Sequence, residues 1–263
     1  MEIWLLNNLP TWALAVVIVG GMVTLAVAGS VLAYRWRPAL AEGEHNDMVG
    51  TGLSMFAAIY GIILAFVVVT LWTEADEAET VVANESTYLA QMVRDARAFP
   101  PAPRAHLEAA VGAYVRAVAE VQWPLMREGR PRYAVTERAV ERMFAALRSF
   151  EPTTEREKTF YREVVRDINR VVAERRARIT QARQTLPAVF KVLVYGGAVV
   201  FIPLTFLYGN KSRQVRLLFV GSVAALVSFS LLLVLVLDHP FSGDISVSPD
   251  AFRQGALARF WRP

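Results

Sequence analysis

Four acids in six residues, Glu74, Asp76, Glu77 and Glu79, stand where the uncharged run from Met48 to Trp72 ends. Carboxylates grouped at the end of an apolar helix suit one kind of chemistry. If several copies of the helix surround a common axis, the carboxylates form rings that attract cations and repel anions. Glu74 and Glu77, about one turn apart, are the expected pore mouth. Other reactive types are sparse. The three histidines, His45, His106 and His239, are far apart in the chain, so no metal site is expected from them. There is no phosphate-binding glycine loop and no nucleophile elbow. Cysteine is absent, which removes thiol and disulfide chemistry. The expectation is a protein that is not an enzyme and has no cofactor.

The run from Met48 to Trp72 has 25 residues, enough to cross a hydrocarbon layer of about 30 Å. After Gly61 no Gly or Pro interrupts it before about Ala98, so the helix should leave the membrane and continue into water. Two sets of positions could face an axis: a small stripe of Ser54, Ala58, Gly61, Ala65 and Val68, or the bulkier Ile59, Ile62 and Phe66. Close packing of an ordinary spanning helix would explain either set as well.

Three more apolar runs complete the membrane part. The first covers about Pro10 to Tyr34, with Gly20-Gly21 and Ala28-Gly29-Ser30 as a small-residue face. Arg35, Trp36 and Arg37 mark an interface, and Pro38 stops the helix before a polar loop from Ala39 to Asp47. The N-terminus has no basic leader, so this run reads as a retained span. The third and fourth runs are about Ala188 to Tyr208 and Leu217 to Leu237. Lys191 should snorkel to the interface, and Gly196-Gly197 with Pro203 should kink the third span.

The fold class is therefore an all-α membrane protein with four transmembrane helices and a helical insert between the second and third. The expected division is 1–73 for the first two spans, 74–187 for a soluble helical domain, 188–237 for the last two spans, and 238–263 for a tail packing on the soluble domain. Within the insert, one helix runs to about Ala98, a second from about Arg104 to Gln122, a third from about Tyr133 to Ser149, and a fourth from Glu155 to Leu186, with Thr154 and Glu157 as a capping box. Two of these carry apolar seams: Ala75, Ala78, Val82, Glu85, Leu89, Met92 and Ala96 on one, and Tyr161, Val164, Ile168, Val171, Arg175, Arg178 and Ala182 on the other. Both seams contain charge. Counting residues from the membrane ends of the two helices predicts a register-fixing ion pair between Glu85 and Arg175.

The formal charge of +4 is small and interleaved with acids, so no nucleic-acid partner is expected. The short loops hold Arg35, Arg37, Lys211, Arg213 and Arg216 against Glu42, Glu44 and Asp47, which leans toward an extracytoplasmic soluble region.

The order of two spans, a long helical insert, two spans and an extended tail is similar to the bestrophin channels. The segment Asp238-His239-Pro240-Phe241-Ser242-Gly243-Asp244 resembles the Asp/Asn-Pro-Phe-Gly-acid stretch at the same place in that family. His45-Asn46-Asp47-Met48-Val49-Gly50, the Tyr60 to Trp72 segment, and Val247-Ser248-Pro249 look like the bacterial bestrophin-like family. The resemblance implies a multi-pass protein of the bacterial inner membrane, a homopentamer whose second spans line an axial pore, and permeant ions and lipid as its partners. It also implies a cytoplasmic helical region, against the charge reading. Two features depart from it. Only Asp244 and Asp250 remain where calcium-gated members have a run of acids, too few for a calcium site. The mouth acids favour cations over anions. The rival reading is a non-conducting sensor or scaffold whose spans anchor a helical bundle.

Overall fold

A computed structural model describes residues 2–38, 42–43 and 45–262. Part of the polar loop expected from Ala39 to Asp47, Glu44 included, lies outside those residues. Among the described residues every regular element is a helix: α1 Glu2–Asn8, α2 Thr11–Trp36, α3 Asn46–Asp95, α4 Pro101–Arg116, α5 Trp123–Arg127, α6 Ala134–Arg148, α7 Glu155–Gln181, α8 Ala188–Leu204 and α9 Arg213–Leu237. The chain divides into two compact units. One runs up to Thr73 and includes Thr185–His239; the other holds Glu74–Gln184 and the tail from Pro240.

The first unit contains α1, α2, the first half of α3, α8 and α9. Its core is built from Tyr60, Leu64, Val67 and Leu71 of α3 against Val194, Ala198 and Phe201 of α8 and Val220, Ala224 and Val227 of α9. A turn of π-helix, Val16–Gly20, interrupts α2 just before Gly21. The third span is the helix α8, continuous to Leu204, with Pro203 in its last turn, where a 3-10 turn takes over. Gly197 has a different use. A Cβ there would run into the Tyr60 ring, and the missing side chain lets the Tyr60 hydroxyl donate to the Val194 carbonyl at 2.7 Å. The fourth span starts four residues earlier than its apolar run, because Ser212 caps α9 by accepting the Val215 N–H.

The second unit packs the second half of α3 with α4, α5, α6, α7 and the tail. The core includes Leu89, Met92, Tyr114, Met143, Ile168 and Phe252. The three prolines after Phe99 do not delay α4 to Arg104. Pro101 opens it, and the first turn needs no amide donors, so Pro103 is tolerated as well. Trp123-Pro124 does not end the helix either, since a π segment, Ala117–Gln122, carries the chain into α5. The capping box forms at α7: Thr154 accepts the Glu157 N–H, and the Glu157 carboxylate accepts from the Thr154 N–H. This helix ends at Gln181, short of the expected Leu186. Pro187 forces its predecessor out of the α region, and the Leu186 N–H is taken by the Asp238 carboxylate. The tail forms two 3-10 helices, Pro249–Arg253 and Gly255–Trp261, and buries Phe241, Phe252 and Leu257.

The close approach at Gly197 is testable. Replacing it with Ala should lower stability by about 1–3 kcal/mol, read as the thermal midpoint in detergent, and adding Tyr60→Leu should recover part of the loss. Equal midpoints for Gly197→Ala and the parent would show that the ring can move aside.

Candidate functional site

The membrane half of α3 has two unlike faces. Tyr60, Leu64, Val67 and Leu71 are buried within the first unit. Ser54, Ala58, Ile59, Gly61, Ile62, Ala65 and Phe66 are all exposed on the single chain, with Ile59, Ile62 and Phe66 at 63%, 59% and 72%. The bulky stripe thus lies on the uncovered side, as does the small one up to Ala65, while its last member, Val68, is half-buried against the core of the first unit. Three polar side chains on this helix are turned back onto it: Thr51, Ser54 and Thr73 donate to the carbonyls of Asp47, Gly50 and Val69. Glu74 and Glu77 are exposed, as are Asp76 and Glu79.

Farther along α3, Glu85 is wholly buried, and its partner is Arg178, not Arg175 as the register count predicted. The Arg178 guanidinium reaches both carboxylate oxygens, Nε to Oε2 at 2.7 Å and Nη2 to Oε1 at 3.0 Å. The Tyr114 hydroxyl donates to the same carboxylate at 2.5 Å. Above the guanidinium lie the rings of Trp123, at 5.7 Å, and Phe252, at 6.0 Å. Burial alone would work against the Arg178 charge, but the Glu85 carboxylate outweighs it and holds the guanidinium above its usual range. Burial first, then the Glu85 charge, pushes the Tyr114 hydroxyl well up. Arg175 stands one turn earlier on the same seam and is claimed by α6. It donates to the Thr136 hydroxyl and the Tyr133 carbonyl, both at 2.6 Å, and to Glu137 at 2.7 Å.

A second charged cluster, in the first unit, was missed in the sequence. Lys191 does not snorkel free. Its ammonium sits 2.7 Å from Asp238 and 3.4 Å from Glu2, with His239 beside both acids. Among the described residues, Glu2, Asp238 and His239 are the one group with the ligand types and spacing for a metal ion. The Lys191 ammonium already supplies positive charge to both carboxylates, so a metal ion would have to displace it. Glu2 and Asp238 are 236 positions apart in sequence, and nothing in the local pattern joins them.

The segment from Asp238 to Asp244 serves packing. Asp238 ties the Leu186 N–H, Phe241 stacks edge-on against Trp123 with centroids 5.8 Å apart, and the Ser242 hydroxyl donates to the Arg127 carbonyl. Calcium does not fit the stretch after it. Ser248 caps the 3-10 turn by accepting the Asp250 N–H, and the Asp250 carboxylate takes the Ser248 hydroxyl at 2.9 Å and Arg253 at 3.6 Å.

Four helices long and apolar enough to cross a bilayer, with a helical second unit, define an α-helical membrane protein. The Bestrophin-like domain family matches residues 20–252, and the chain belongs to it. The fold is similar to crystal structures of a bacterial bestrophin homolog from Klebsiella pneumoniae. A leucine-to-threonine variant superposes with a TM-score of 0.71 at 14% identity, covering 92% of this chain and 97% of that one. An isoleucine-to-threonine variant gives 0.68 at 15%, covering 93% and 99%. No curated protein matches in sequence.

Two outcomes follow from the buried charges of the second unit. Glu85→Gln or Arg178→Met alone should each destabilise by about 3–5 kcal/mol, since each strands a buried partner, whereas Glu85→Leu with Arg178→Met should lose much less; unfolding midpoints in detergent decide it. Asp167 is buried on α7 and its carboxyl is raised, by burial first, with Asp95 and Glu163 adding to the rise and Arg170 opposing it. A raised acid favours folding below the ordinary carboxylate range and loses that contribution as pH climbs through its folded value. Asp167→Asn should therefore raise the midpoint by about 2 °C near neutral pH and by nothing measurable at about pH 4.

Proposed function

We propose that this chain assembles as a homopentameric ion channel of the bacterial inner membrane, with the exposed face of α3 lining an axial pore and Glu74 and Glu77 forming cation-favouring rings at its mouth. The observation that carries this reading is the two-faced α3. Its inner face is committed to α8 and α9, while Ser54, Ala58, Ile59, Gly61, Ile62, Ala65 and Phe66 stay exposed among the described residues. Membership of the Bestrophin-like family supports the same choice. The wall would combine Ser54, Ala58, Gly61 and Ala65 with Ile59, Ile62 and Phe66. The larger side chains would form a dry constriction, and the carboxylates would raise cation concentration at its entrance. Lipid would cover the remaining apolar surface of the first unit. In the second unit the tail would hold α3 by way of Phe252 and Arg178.

Bilayer currents from the purified protein under asymmetric KCl test this. Reversal on the potassium side is expected, and Glu74→Gln with Glu77→Gln should move it at least half-way to zero with folding intact. Reversal at the chloride potential would overturn the selectivity. Absence of current from a particle that is not a pentamer would favour the non-conducting anchor.

A further inference from the structure

One end of the first unit gathers cations that the proposed pore does not use. Arg35 and Arg37 flank Trp36 at the end of α2, while Lys211, Arg213 and Arg216 lie at the start of α9. Three contacts bring these places together. The Arg216 guanidinium stacks on the Tyr34 ring, 3.6 Å from its centroid. The Tyr34 hydroxyl donates to the Tyr208 carbonyl at 2.9 Å. Asn46 at the start of α3 donates to the Gly209 carbonyl and accepts its N–H, both at 2.8 Å. Arg35, Arg37, Lys211 and Arg213 are exposed, and among the described residues no carboxylate pairs with them or with Arg216. Arg216 donates through Nη1 to the Asn210 carbonyl, but its Nε is buried with no acceptor. The exposed acids of this end among the described residues are Glu42 and Asp47, and with Glu44 of the same loop they are still fewer than the cations.

The cations border apolar surface. Trp36, Met48, Val215 and Leu218 are all strongly exposed on the spanning helices beside them. A soluble anion would satisfy the charge and leave this surface bare; a zwitterionic lipid would cover the surface and bring a compensating cation of its own. A ligand with a net-anionic head and long apolar chains satisfies both. Guanidinium groups suit phosphate oxygens through paired N–H donors, and a basic group next to a spanning helix favours anionic lipid. We propose that this end of the unit is a binding site for anionic phospholipid, its phosphate held by Arg37, Arg213 and Arg216 and its chains laid along Val215 and Leu218.

The test uses the full chain in a neutral detergent, with phosphatidylglycerol, phosphatidylcholine or inorganic phosphate added, reading the thermal midpoint and the lipid retained in native mass spectrometry. Phosphatidylglycerol should raise the midpoint by several degrees and stay bound, and the increment should shrink as salt rises. The combined Arg37→Gln, Lys211→Gln and Arg213→Gln variant should lose most of that increment, while Arg138→Gln with Arg142→Gln in the second unit should keep it. An equal increment from phosphatidylcholine, a salt-independent increment, or full retention by the triple variant would overturn the site. The same increment from inorganic phosphate alone would point to a free-anion site and overturn the lipid assignment. Should the triple variant fail to fold, the salt and headgroup dependence of the parent protein still decides.

Discussion

The ion pair between Glu85 and Arg178 is the constraint on which the second unit depends. Neither side chain reaches solvent, so each charge has given up its hydration and needs the other in place. The geometry meets that need in several directions. The guanidinium fork takes both carboxylate oxygens, Tyr114 adds a hydroxyl, and two aromatic rings lie within cation–π range. These contacts draw on α3, α4, α5, α7 and the tail. Sliding α7 by a turn would bring Arg175 toward Glu85 but strand Arg178 and pull Arg175 from Thr136 and Glu137, so the pair specifies register together with those contacts.

In the first unit the corresponding constraint is steric. Lipid offers no hydrophobic drive between helices, so association depends on close fit and on internally satisfied polar groups. Gly197 and Tyr60 show both together: absence of a side chain on α8 admits a ring from α3, whose hydroxyl then finds a backbone carbonyl. Lys191 follows the same rule for charge. It lies in the first turn of α8, where it reaches Asp238 just beyond the end of α9, and that carboxylate also takes the amide of Leu186.

Hydropathy made the four spans legible, because a run without charge or proline such as Met48 to Trp72 has few other uses. The buried seams were legible for a related reason: a spacing of three and four admits one face. The pairing within them was not. Arg175 and Arg178 share a seam one turn apart, and the choice between them rests on Thr136 and Glu137 of α6 and on Tyr133 just before it, which the period of α7 does not encode. Prolines misled in the same local way. Pro101 and Pro103 read as a gap, yet both sit in the first turn of α4, where the rule against proline relaxes. The Glu2, Lys191 and Asp238 cluster had no sequence signal, since its members come from three distant segments.

Under the pore reading, the uncharged half of α3 sets a barrier height and offers an ion only dipoles and ring edges, because no fixed charge lies between Met48 and Trp72. Fixed charge of either sign enters only beyond those limits. The acids from Glu74 onward supply one sign, and the cations at the ends of α2 and α9 supply the other. Bound phospholipid phosphates would neutralise the cations where they stand and leave the carboxylates as the fixed charge an ion meets.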